Sequence, residues 1–195
     1  MNELDKNNMG IHIRKLLPLD KEIYLLYIPL IVDRKSISEN IIKPILEYSE
    51  NDKLTMKKLA GSVIFADEIQ FDSDEEKIEG YLLDGKTIVI STNDRDYLVV
   101  DTLKTEKRNV ESPEVETGIK APRDAFTESI ETNLSLIRHR LKDPALRIES
   151  MSIGRRTKTK VAIVYIHDIV NPDYLNQIKD QLNRIEVDGI LESGG

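Results

Sequence analysis

The chain has no cysteine and no tryptophan, and phenylalanine occurs only three times. Without cysteine, disulfides and thiolate metal sites are excluded. The three histidines, His12, His139 and His167, are too dispersed to suggest a metal site by spacing. Positive charge is in deficit: 28 Lys and Arg face 35 Asp and Glu, for a formal net charge of −7. That argues against generic nucleic-acid binding, which needs a basic surface. Long apolar runs are missing too. The longest, Ile23 to Val32, is interrupted by Pro29 and is about half of the roughly 20 residues a membrane helix needs. The N-terminus lacks the charged–apolar–small order of a signal peptide. The chain as given is therefore expected to be soluble.

What is present is globular in character, with 39% hydrophobic and 32% charged residues. A length of 195 residues suits one domain or two small lobes. Residues 1–10 are polar and read as a disordered N-terminus. Ile11 to Leu17 reads as a short strand ended by Pro18, and Ile23 to Ile28 as a strand buried on both faces. Asp33 or Ser36 can cap a helix over 37–49, with Ile37, Ile41, Ile45 and Tyr48 at helical spacing. Leu54 to Leu59 predicts a further helical turn closed by Gly61, and Ser62 to Ala66 a strand. A helix begins at Asp72-Ser73-Asp74 and ends near Asp84-Gly85, and a hairpin of 86–91 with 96–102 follows.

Residues 104–121 have no consistent period and contain Pro113 and Gly118, so they read as a linker between a first lobe, 11–103, and a second, 122–195. In the second lobe Phe126, Ile130, Leu134, Ile137 and Leu141 stripe one helix face. Strands at 147–154 and 158–166 flank the turn Arg155-Arg156-Thr157, and a last helix enters through Asn171-Pro172. The expected fold class is α/β, two small lobes with mixed β-sheets. A weak repeat links them: Tyr27-Ile28-x-x-Ile31-Val32-Asp33 matches Tyr165-Ile166-x-x-Ile169-Val170-Asn171. Allowing one residue of slippage, Ile41 and Ile45 pair with Ile178 and Leu182. Duplication explains this, and so does the shared preference of strand-to-helix turns for an Asp or Asn cap.

Gly80-Tyr-Leu-Leu-Asp-Gly85-Lys86-Thr87 satisfies the phosphate-loop pattern GxxxxGK[ST]. A phosphate loop must leave a strand and enter a helix, so that a helix N-terminus holds the phosphates. Here a helix precedes and the β-rich run TIVIS follows, so Gly85 is better read as a helix C-cap. The acids crowding 67–79 miss the calcium-loop pattern: counting from Asp72, the sixth and twelfth positions are Lys77 and Leu83. They read as a solvated helix face. No Ser–His–acid set or carboxylate pair stands out, and neither catalysis nor a cofactor is expected.

Arg155, Arg156, Lys158 and Lys160 fall within six positions that contain no acid. They form either a solvated turn or an electrostatic contact for an acidic partner, anionic headgroups or a ligand carboxylate. Arg138 and Arg140 lie on the helix away from its apolar stripe, and Asn133 lies beside it. A helix-face hydrogen bond and a ligand contact are both open for Asn133.

Three long, ordered words carry a resemblance: PRDAFTESIETNLSLIRHRLKDPALRIE, IGRRTKTKVAIVYI and IEVDGILESG. They closely resemble the soluble N-terminal domain of the A subunit of bacterial spore germinant receptors, the GerA family. The likeness is strong over the last 75 or so residues and only in outline before them. The resemblance implies a non-enzymatic part of a membrane receptor for nutrients, built as two α/β lobes similar to small-molecule-binding proteins. It implies a membrane-embedded B subunit and a lipid-anchored C subunit as partners. It also implies a membrane-spanning region after this domain, and a place at the spore inner membrane on the cytoplasmic, spore-core side. The ligand- or partner-binding candidates are Arg123, Asn133, Arg138, Arg155, Arg156 and Lys158. The word PR-x-x-F-x-E is intact as Pro122, Arg123, Phe126 and Glu128. Where family members often carry Asp-Gly after the Tyr-Ile of the apolar strands, this chain has Pro29-Leu30 and His167-Asp168. Two other readings stay open: a cleft between the lobes that binds an amino acid or sugar germinant directly, and a nucleotide-binding enzyme that uses Lys86.

Overall fold

Apolar runs too short to cross a membrane build the centre of a sheet instead. In the computed structural model, which describes residues 9–49, 54–104, 126–154 and 156–185, Ile23–Tyr27 forms strand β2. It lies between β1, His12–Leu16, and β4, Lys86–Ser91. Strand β5, Tyr97–Asp101, and edge strand β3, Ile69–Asp72, complete a five-stranded sheet in the order β1-β2-β4-β5-β3. Every pairing is antiparallel, as is that of the second sheet, β6 (Leu146–Ile153) with β7 (Thr159–Ile166). The fold is mixed α/β with two sheets, but the sheets themselves are not mixed. Short connections between neighbouring strands favour hairpin pairing, and parallel strands need crossovers of a dozen or more residues.

The chain divides into two units, Ile11–Ala125 and Met1–Gly10 with Phe126–Gly195. In the first unit, Asp33 accepts from the backbone N–H of Lys35 and Ser36 and caps helix α1. That helix runs through Arg34–Ser36, a π-widened stretch Ile37–Ile42, and Lys43–Glu47. Thr55 caps α2, which consists of Met56–Lys58 and Leu59–Val63. The expected strand at Ser62 to Ala66 is thus absent, and the helix runs past Gly61. Met56, Leu59 and Val63 stand at helical spacing and are all buried, so packing overrides the β-preference of Val63. Asp74 caps a 3₁₀ turn, Glu75–Lys77, that leads into α3, Ile78–Leu83. Leu25, Ile28, Ile45, Leu59, Leu82, Ile88, Leu98 and Val100 are fully buried between sheet and helices.

The second unit holds α4, Ile130–Arg140, the β6–β7 hairpin and α5, Pro172–Asn183. Its buried apolar side chains among the described residues are Met9, Leu134, Leu146 and Ile153. Met9 corrects the expectation of a disordered residue 9: it is 2% exposed. The predicted linker lies outside the described residues except for Lys104, whose N–H donates to the Ile31 carbonyl at 2.9 Å. No helix among the described residues is long and apolar enough to cross a membrane.

Candidate functional site

The basic cluster sits at the tip of the β6–β7 hairpin. Register pairs Ile153 with Thr159, which leaves 154–158 as the turn. Gly154 has φ +84° and Lys158 φ +48°. A lysine in the left-handed region costs about 1 kcal/mol relative to glycine. Arg156, Lys158 and Lys160 are exposed. The structure therefore brings three of the four cations of this word to one exposed tip. Arg155 and Arg123 lie outside the described residues.

The other two candidates are turned to structural tasks. Asn133 holds the entry of α4: its Oδ1 accepts from the Thr127 N–H at 2.7 Å and its Nδ2 donates to the Thr127 carbonyl at 2.7 Å. Arg138 corrects the expected helix face. It is 1% exposed, and Phe126 and Leu141, expected on the buried stripe, are 66% and 47% exposed. The helix begins only at Ile130, after the Ser129 cap, so Phe126 precedes it. The inward row is then Ile130, Leu134 and Arg138, four residues apart.

Arg138 Nη2 donates to the carbonyls of Met9 and Leu146, both at 3.1 Å, and Nη1 to that of Asp143 at 3.4 Å. Its Nε is buried without a partner. Burial, together with the charge of Arg147, pushes the Arg138 pKa down. Arg147 is 8% exposed and donates to the Pro144 carbonyl at 2.6 Å. Sequence reading missed Arg147, and no signal in the sequence singles it out among strand residues. Arg138 had one in its spacing from Leu134. Also unforeseen is a polar cluster on the hairpin. There Glu149 accepts from the Tyr165 hydroxyl at 2.5 Å and from Lys179 of α5 at 2.6 Å.

The GxxxxGKT segment cannot cradle phosphate as placed. Gly80 lies inside α3, Asp84 is its C-cap, and Gly85 turns at φ +77°. The segment therefore faces a helix C-terminus, the negative end of the dipole. Lys86 pairs with Asp101 at 3.1 Å, and the Thr87 hydroxyl is 2.7 Å from that of Thr102 inside the core. The described residues contain no group of three or more His, Asp or Glu able to hold a metal ion.

A groove of about 790 Å³ lies within the first unit, lined by Met56, Lys57, Ile69, Phe71, Arg95 and Asp96 among others. Apolar floor and charges of both signs meet there. Its wall is fixed by Lys21, which donates to the Leu54 carbonyl at 2.6 Å and to Asp94 at 3.0 Å.

Comparison with known proteins places this arrangement in a family. The model of the Bacillus/Clostridium GerA spore germination protein matches residues 1–195. Spore germination protein KA of Bacillus subtilis is 29% identical over 87% of the chain, which covers 31% of that protein. An uncharacterized membrane protein of the same organism, YfkQ, is 25% identical over 88% of the chain, covering 33% of its own length. The chain thus spans about a third of the length of these curated relatives. Among solved structures, the N-terminal domain of the A subunit of the Bacillus megaterium spore germinant receptor GerK3 aligns with a TM-score of 0.66 and 27% identity. That alignment covers 97% of this chain and 71% of the other. With the family model matched over residues 1–195, this chain belongs to the Bacillus/Clostridium GerA spore germination protein family.

Proposed function

We propose that this chain is the N-terminal domain of a nutrient germinant receptor A subunit, and that it takes part in germinant sensing and signal transmission rather than in catalysis. The observation that carries this reading is the match over 97% of the chain to the solved N-terminal domain of a spore germinant receptor A subunit. Its setting is the spore inner membrane, with the domain on the spore-core side and the receptor's B and C subunits as partners. The exposed tip that carries Arg156 and Lys158, with Arg155 beside them in sequence, is the contact for an acidic partner surface. Opposed charge steers encounter and fixes register there more than it adds affinity. Arg138 and Asn133 support this surface by fixing the ends of α4. Arg123 precedes that helix in sequence.

The test is the double reversal Arg155→Glu with Arg156→Glu. Turn residues at a surface change stability by no more than about 0.5 kcal/mol. The melting temperature and receptor abundance are therefore expected to hold while germination slows. Normal germination at normal abundance overturns the contact. A second reading, direct binding of a small-molecule germinant, is favoured by the groove beside Phe71, whose lining offers an apolar floor with Arg95 and Asp96 at its rim. Titrating a panel of amino acids and sugars while following the Phe71 and Arg95 resonances tests it. Shifts that saturate at those residues support the second reading, and a flat response removes it.

A further inference from the structure

Helix α5 has an apolar row that stands exposed among the described residues. Leu175, Lys179 and Leu182 are half-buried on one side of the helix, and Lys179 binds Glu149 of the hairpin there. About a quarter-turn round, at 100° per residue, stand Tyr174 and Ile178, which are 65% and 46% exposed. Ile169, just before the helix, is 79% exposed. No residue of α5 is buried. The helix is thus held to its sheet by one side while an adjacent side, with large apolar groups four residues apart, faces outward. That spacing is the ridge that packs into the groove of another helix.

We infer that this row docks an apolar helix from the polypeptide that continues beyond this domain in the longer protein. The inference rests on the reading of the chain as the N-terminal domain of a longer subunit. Three observations choose this occupant. First, the curated relatives are about three times as long as the matched stretch. Second, the row offers three large side chains, whereas a stable interface between free partners takes about 20–30 residues a side. So small a patch suits a partner held by the same chain, whose effective concentration reaches the millimolar range. Third, the exposed charges along 168–184 are Asp168, Asp173 and Asp180 against Arg184, with Lys179 turned to Glu149. Helices that lie on membranes carry a basic polar face, so this acidic border favours protein over lipid.

The absence of cysteine makes the test direct. Ile169→Cys and Ile178→Cys are introduced singly into the 195-residue chain and into the full-length protein, with any cysteine outside residues 1–195 replaced. Both forms are labelled with a maleimide in the same detergent, with Lys35→Cys on α1 as the exposed control. Labelling at 169 and 178 is expected to be at least tenfold slower in the full-length protein, independent of its concentration, with the control unchanged. Adding Tyr174→Glu and Ile178→Glu should restore fast labelling at Ile169→Cys, and a preserved melting temperature of the 195-residue chain shows that the variant folds. Equal rates in both forms overturn the inference. So does protection of the 195-residue chain that grows with its own concentration, which makes the occupant a second copy. Protection of that chain by added anionic vesicles makes it lipid. Neither result bears on the germination phenotype of the hairpin variants, so the two readings fail separately.

Discussion

The two units use the same strand–loop–helix device with opposite degrees of burial. After β2, Asp33 accepts from the N–H groups of Lys35 and Ser36. After β7, Asn171 accepts from those of Asp173 and Tyr174 at the matching offset. Yet Ile41 and Ile45 behind the first cap are 1% and 0% exposed, and Ile178 behind the second is 46% exposed. The difference is the sheet beneath. β2 sits inside five strands covered by helices. β7 is half of a two-stranded ribbon whose residues from Val161 to Ile166 are all only half-buried. A two-stranded sheet is marginal alone, so the second unit rests on polar fastenings: Arg138 on three carbonyls, and Glu149 on Tyr165 and Lys179. Local sequence writes the same motif twice, and the number of neighbouring strands decides whether it becomes core.

The sharpest way to break the comparison is to truncate its two matched positions. Ile41→Ala opens a cavity in a closed core and is expected to cost about 2–5 kcal/mol. Ile178→Ala removes a half-exposed group and should stay within about 0.5 kcal/mol in the isolated chain. Denaturant unfolding of both variants decides it. Equal losses would mean that α5 is as firmly cored as α1.

The next largest effect concerns the polar fastening. Arg138→Ala strips the carbonyls of Met9 and Leu146 of their donor and should destabilise the second unit by about 2–3 kcal/mol. Arg138→Met should lose less, because it fills the volume and removes a buried charge whose hydrogen bonds among the described residues go to neutral carbonyls. Amide exchange should locate the loss in α4 and β6 while β2, β4 and β5 keep their protection. Loss of protection in the five-stranded sheet would show that the units do not open separately.

Much of this frame was legible in the sequence, and the misses share a cause. The Ile23–Ile28 run, the 86–102 hairpin, both cap residues and the β6–β7 pair were readable because each is written locally. The strand expected at 62–66 failed because Val63 and Ile64 look β-prone while Met56, Leu59 and Val63 keep a helical period that packing favours. Arg138 was misplaced because a charged residue on a helix is expected outward. Only the carbonyls of Met9, Asp143 and Leu146, which no local pattern announces, make its burial tolerable. The exposure of Arg156, Lys158 and Lys160 was readable from composition, since cations without an acid beside a turn stay in solvent.

A smaller effect tests the turn that replaces the apparent phosphate loop. Gly85 has φ +77°, and an added Cβ would lie 2.5 Å from Leu103 Cδ1 and 3.3 Å from the Leu103 backbone. Gly85→Ala is expected to cost about 1–2 kcal/mol, measured by thermal melting, and nucleotide affinity should be nil before and after. A neutral substitution would mean that the helix C-cap is not held where the five-stranded sheet needs it.

The finest contrast lies in two carboxylates, one per unit, each held by a tyrosine hydroxyl and a lysine. Asp72 accepts from Tyr81 at 2.8 Å, from the N–H groups of Ser73 and Asp74, and from Lys77 at 3.3 Å. Chiefly through Tyr81, these hold its pKa down to about 2. Glu149 is also lowered, but chiefly by Lys179 and only then by Tyr165. In both cases the folded pKa lies below the unfolded value of about 4, so the unfolded state binds more protons as pH falls. Their stabilisation is complete above the unfolded pKa and is lost on acidification through the folded one. Carboxyl-carbon titration by NMR should therefore show a crossing pattern. Tyr81→Phe should raise the Asp72 pKa more than Lys77→Met does, whereas Lys179→Met should raise that of Glu149 more than Tyr165→Phe does. The same order in both units would mean that Lys179 does not fasten α5 to the hairpin. The half-buried side of that helix would then be as loosely held as its exposed row.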